Sequence, residues 1–152
     1  MKMSYFIATF MIIGIFLWYL NSGTATPQYP GITAIVYKSQ QCGCCGNYVA
    51  YLKQQGYTVQ VRDVQDMASI KQRFGVPTSM ESCHTTIIGD YLVEGHIPVE
   101  AIQKMMTEKP IIKGIAMPGM PSASPGMPGS KQGKFEIYAV STDGTTERYM
   151  SI

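Results

Sequence analysis

Residues 36–52, "VYKSQQCGCCGNYVAYL", place three of the four cysteines of this chain within four positions, at Cys42, Cys44 and Cys45. The fourth, Cys83, stands directly before His84. The cluster falls between an apolar, β-branched stretch and a helical pattern. The chain must therefore turn from strand to helix at its thiols. A helix N-terminus offers unpaired N–H groups and the positive end of a dipole, both of which favour thiolate over thiol. Whatever fold the chain takes, it has to accommodate sulfur crowded at one such turn.

The pattern on either side extends this constraint. Ile32 to Tyr37 reads as a buried strand. Asn47 to Gly56 carries apolar Val49 and Leu52 at helical spacing and ends on a glycine. Gly43 and Gly46 are expected to loosen the backbone between strand and helix. "YTVQVRDV" alternates as a second strand, and Asp66 is placed to cap a short helix, "MASIKQRF", closed by Gly75 and Pro77. "TTII" and "YLVE" flank Gly89-Asp90, a pair suited to a tight hairpin. Pro98 suits the first turn of the helix "PVEAIQKMMTE", and Pro110 helps end it. Strand, helix, strand, helix, strand, strand, helix is the order of a thioredoxin-like α/β domain: a central mixed sheet flanked by helices, with the cysteines between first strand and first helix. The remainder is "GIAMPGMPSASPGMPGSKQG", a Pro/Gly/Met-rich loop without periodicity, and a C-terminal β-hairpin about Asp143-Gly144.

The N-terminus has a different character. Lys2 precedes the uncharged run Tyr5 to Leu20, and small residues follow at Gly23 and Ala25. This reads as an export signal, residues 1–25, the alternative being an uncleaved membrane anchor. Residues 26–31 form a linker and 32–152 the folded domain. Either reading puts the domain outside the cytoplasm, free or tethered to the membrane. The membrane is then met only through the N-terminal segment, if uncleaved. With 12 Lys and Arg against 10 Asp and Glu, and no basic stripe, the chain is not expected to bind nucleic acid.

In an oxidising compartment unprotected thiols pair. Three chemistries then fit the cluster. Cys42 and Cys45 form the C-x-x-C of a thiol–disulfide oxidoreductase. Two structural disulfides would also use all four cysteines. The third chemistry is a metal site, and two features favour it. Cys44 adds a sulfur that disulfide exchange does not need, and the Cys83-His84 segment is expected to enter its strand beside the N-terminus of the first helix. Soft thiolates suit Cu(I) or zinc, and three donors from one turn suit a Cu(I) site that can bridge more than one ion. His84 is a candidate ligand or support for one. His96, in "EGHIP", is a candidate ligand or a structural histidine. Met117, Met120 and Met127 offer thioethers that cannot form disulfides, or else pin the loop to the core. Met105 and Met106 are expected to pack, and Lys38 either stabilises a thiolate or is solvated.

"VYKSQQCGCCGNYVAYL", "FGVPTSMESCHTTIIGDYLVEGHIP" and "GIAMPGMPSASPGMPG" together resemble the CopG-type family of bacterial periplasmic copper-resistance proteins, over roughly Thr33 to Gly129. The resemblance implies a periplasmic domain, soluble or tethered to the inner membrane. It also implies a thioredoxin-like fold, copper held through Cys42, Cys44, Cys45 and Cys83 with His84 beside them, and a part in copper handling and resistance, with Cu(I)/Cu(II) interconversion as one route. It carries His96, Met117 and Met120 into the family pattern. The partners implied are copper ions and other periplasmic copper-handling proteins.

Overall fold

The computed structural model describes residues 31–152. The expected export signal and all of the expected linker but Gly31 lie outside the described residues. Seven strands form one mixed sheet: β1 (Thr33–Ser39), β2 (Thr58–Val64), β3 (His84–Ile88), β4 (Tyr91–Glu94), β5 (Gly114–Ala116), β6 (Glu136–Val140) and β7 (Thr146–Ser151). Among the described residues three helices, α1 (Gly43–Gln54), α2 (Met67–Phe74) and α3 (Val99–Glu108), complete a mixed α/β architecture, with a 3-10 turn at Thr78–Met80. The sheet order is β2-β1-β3-β4-β5-β6-β7. β1 and β2 run parallel, joined through α1, as do β4 and β5, joined through α3; every other neighbouring pair is antiparallel. No helix among the described residues is long and apolar enough to cross a membrane.

Local chemistry accounts for most boundaries. Asp66 accepts from the Ser69 amide at 3.1 Å and opens α2, which Gly75 closes in the left-handed region at φ 64°. Gly89, at φ 59°, turns the β3–β4 hairpin, where Ile88 faces Tyr91. Pro98 is the cap residue before α3 rather than its first helical residue. The core between sheet and helices gathers Val36, Tyr48, Leu52, Ile88, Ile102 and Ile115, and Met105 lies in it as expected.

Three features depart from expectation. Helix α1 begins at Gly43, not Asn47, so Cys44 and Cys45 lie in its first turn and Cys42 is its cap residue. Gly43 and Gly46 are consequently ordinary helical positions, with open space where a Cβ would stand. The segment read as a loop starts with a true strand: Gly114–Ala116 lies wholly buried beside β4. Gly114 approaches so closely that a Cβ would fall 1.9 Å from the Leu92 carbonyl oxygen. That three-residue strand then carries the β6–β7 hairpin on its free edge and extends the central sheet.

Candidate metal centre

Strand register brings the two sulfur segments together. Lys38, near the end of β1, pairs with His84, the first residue of β3, so Cys83 arrives beside the turn from which α1 departs. The four Sγ atoms all lie within 4.8 Å of one another. Cys42 and Cys45 are joined as a disulfide, while Cys44 and Cys83 are free thiols. The Sγ of Cys44 is 3.4 Å from that of Cys42 and 3.9 Å from that of Cys83, and Cys45 lies 3.6 Å from Cys83. Cys45 is fully buried and the other three are half-buried, so the cluster has a buried floor and an accessible side. The first turn of α1 contains no acidic residue to offset its N-terminal dipole.

A second donor group shares Cys83. His84 Nδ1 lies 3.3 Å from the Cys83 sulfur and His96 Nε2 only 2.9 Å from it, and the three ligand atoms fall within 4.8 Å of one another. The β3–β4 hairpin causes this convergence. Thr85 is opposite Glu94, and the Gly95 amide donates to the His84 carbonyl at 3.1 Å, so His96 leaves the hairpin beside the residue where it began. Gly95 takes φ 84°, and a Cβ there would fall 2.7 Å from the Met117 carbonyl oxygen, which makes glycine the residue that fits.

Both histidines are fully buried. Burial, then the neighbouring His96 and Lys71, hold His84 well below the usual imidazole range; burial also lowers His96. Both rings are therefore neutral at pH 7 and able to act as donors. Burial, followed by the adjacent Cys44, pushes the Cys83 thiol up to about 12. His84 Nε2 is buried without a hydrogen-bond partner among the described residues. Buried Tyr48 packs its ring against His84 at a tilt, with centres 4.5 Å apart, and meets His96 edge-on at 5.5 Å. Its hydroxyl donates to the Ile97 carbonyl at 3.0 Å. The tyrosine thus fixes both rings.

The expected site residues divide into two groups. Cys42, Cys44, Cys45, Cys83, His84 and His96 are brought together. Met117 lies at the end of β5, buried in the core, and also lines a cleft of about 360 Å³ with Pro121, Phe135 and Tyr138. Met120 is 53% exposed on the following segment. Lys38 forms an ion pair with Asp63 at 2.8 Å, so its charge is matched by a carboxylate.

Sequence reading missed the support behind Cys83. Glu94, fully buried, accepts from the Ser82 amide at 2.8 Å and from the Thr85 hydroxyl at 2.6 Å, and pairs with buried Lys71. The Lys71 ammonium also donates to Thr85 Oγ1 at 3.3 Å. A buried Lys–Glu pair has no local signature, because its partners here come from α2 and β4.

With the Cys42–Cys45 disulfide reduced, a two-sided set of four thiols and two neutral imidazoles matches the preferences of copper and, less selectively, zinc. Comparison with known proteins narrows this. Residues 80–127 match a family described as "Protein of unknown function, DUF411". No curated protein matches the chain. Two solved structures of copper resistance protein CopG do. Form 2 superposes at TM-score 0.75 with 35% identity, over 82% of this chain and 99% of that one. Form 1 gives TM-score 0.74 at 35% identity, over 82% and 98%. Sequence identity at this level, across 82% of this chain and nearly the whole length of those chains, establishes kinship: this chain belongs to the CopG copper-resistance family.

Proposed function

We propose that this protein is an exported, periplasmic copper-binding protein of copper resistance, holding Cu(I) among the thiolates of Cys42, Cys44, Cys45 and Cys83. The observation that carries the reading is the convergence of four sulfurs from two distant segments within 4.8 Å. Such a soft, crowded donor set suits Cu(I) and has room to bridge more than one ion. Thiol–disulfide exchange with an external dithiol, which is itself oxidised to a disulfide, reduces Cys42–Cys45 and frees the two sulfurs that the oxidised state ties together. His84 and His96, sharing Cys83 with that set, add borderline nitrogen donors that also suit Cu(II). Their presence supports interconversion of the two oxidation states within one site. The 53% exposure of Met120 supports a role for its thioether in meeting incoming Cu(I), whereas Met117 would serve from inside the fold.

The test is anaerobic Cu(I) titration of the reduced domain against a competing chelator, with thiols counted before and after. Tight uptake with loss of titratable thiols, abolished in the Cys42→Ser/Cys45→Ser double variant, is the expected result. Failure of the reduced wild type to retain Cu(I) would overturn the proposal.

A further inference from the structure

The Pro/Gly/Met-rich segment draws attention through its thioethers, yet it reaches the site through its backbone. His96 Nδ1 lies 2.7 Å from the carbonyl oxygen of Pro125. A carbonyl only accepts, so Nδ1 must carry the proton, and in a neutral imidazole Nε2 is then left as the lone-pair atom. That atom faces the Cys83 sulfur at 2.9 Å. We propose that the Pro125-Gly126 turn is a positioning element for His96, locking the ring in the Nδ1–H tautomer and aiming Nε2 into the sulfur cluster.

The turn is held in place by close contact. Gly126, at φ 83°, lies against the first turns of α1, where a Cβ would meet the Tyr48 amide nitrogen at 2.7 Å and the Cys44 carbonyl oxygen at 3.0 Å. Asn47 Nδ2 donates to the Gly126 carbonyl at 3.2 Å. The segment also braces itself. The buried Ser124 hydroxyl donates to the Pro121 carbonyl at 2.7 Å, and the Met127 amide to the Ser124 carbonyl at 2.8 Å. One helix turn therefore carries two of the cysteines and also seats the carbonyl that orients the histidine. Displacing the turn frees the imidazole to rotate or to move its proton while every donor side chain remains present.

The consequence for copper rests on reading Cys83 and His96 as donors, but the tautomer does not. It is read in metal-free, reduced protein labelled with ¹⁵N-histidine, the His96 signals being assigned through His96→Gln. In wild type the expected result is one Nδ1–H tautomer, with Nε2 at a pyridine-like shift. Gly126→Val should mix the tautomers, and Asn47→Ala, at an exposed position, should do so more weakly. Met127→Leu and Met120→Leu should leave the signals unchanged. Gly126→Val should retain Cu(I) about 10- to 100-fold less tightly than wild type, the usual cost of losing a ligand's outer hydrogen bond, and Asn47→Ala should show a smaller loss. A wild-type ring protonated on Nε2 would overturn the proposal, as would an unmixed Nδ1–H tautomer in folded Gly126→Val. Should Gly126→Val fail to fold, an unmixed tautomer in Asn47→Ala overturns it. Absence of Cu(I) uptake by wild type with the Nδ1–H tautomer intact would instead remove the copper reading and leave the positioning role standing.

Discussion

Glu94→Ala is the substitution that most directly probes how the Cys83 side of the site is held. The Glu94 carboxylate is fully buried and receives Lys71, the Ser82 amide and the Thr85 hydroxyl. Removing it leaves a buried ammonium without its counter-charge and two donors short of their acceptor. Breaking a buried pair in this way costs about 3–5 kcal/mol. For a domain of this size that lowers the melting temperature by roughly 10–20 °C. Urea unfolding of the metal-free, reduced protein should show the loss as a lower midpoint with unchanged slope. The double variant Lys71→Met/Glu94→Leu removes both charges while keeping apolar volume, and should recover most of the lost stability. It should not recover tight Cu(I) retention, because the Ser82 amide still lacks the acceptor that sets the approach of Cys83. A loss below about 1 kcal/mol in Glu94→Ala, the range of exposed pairs, would refute the reasoning. So would full copper retention in the double variant.

Cys83→Ser should weaken Cu(I) retention as severely as Cys45→Ser, since Cys83 belongs to both donor groups; preserved affinity and stoichiometry would confine the site to the first turn of α1. A thiol held near pKa 12 is protonated at neutral pH, so Cys83 in the native protein should react with iodoacetamide at least about tenfold more slowly than free cysteine. Equal rates, followed by peptide mapping, would show that burial does not protect it. The histidines set the acid limit of the metal-free fold. His84 and His96 are depressed below the ordinary imidazole value, so the unfolded chain binds their protons first. Stability is therefore complete above the unfolded value of about 6.5 and falls as pH drops below it, by up to about 1.4 kcal/mol per pH unit for each histidine. Melting temperatures across pH 5 to 8 test this, and a flat or opposite trend would mean that the rings are solvated.

Much of the fold could be read from short-range chemistry. Asp66, Gly75, Gly89 and Pro98 act through their own backbone or the next few residues, and they mark boundaries in the chain as in the structure. The sulfur cluster was equally legible, because three cysteines within four consecutive positions stay close however the rest folds. The start of α1 was misplaced because glycine is a poor helix signal, although Gly43 and Gly46 sit in the helix without strain. Strand β5 was missed because three residues, one of them glycine, carry no alternation; the free edge of β4 makes them a strand.

The chain alone therefore determined which candidate donors exist and that three of them crowd one strand-to-helix turn. It also set out the hairpin that returns His96 toward His84. Tertiary structure decided the rest: that Tyr48 packs against both imidazoles, that Lys71 meets Glu94 behind Cys83, and that a carbonyl of the Pro/Gly/Met-rich segment orients His96. Each of these joins residues from separate elements through close packing. A backbone carbonyl, moreover, is present at every position of the chain. Only the place where the chain is held gives that of Pro125 its function.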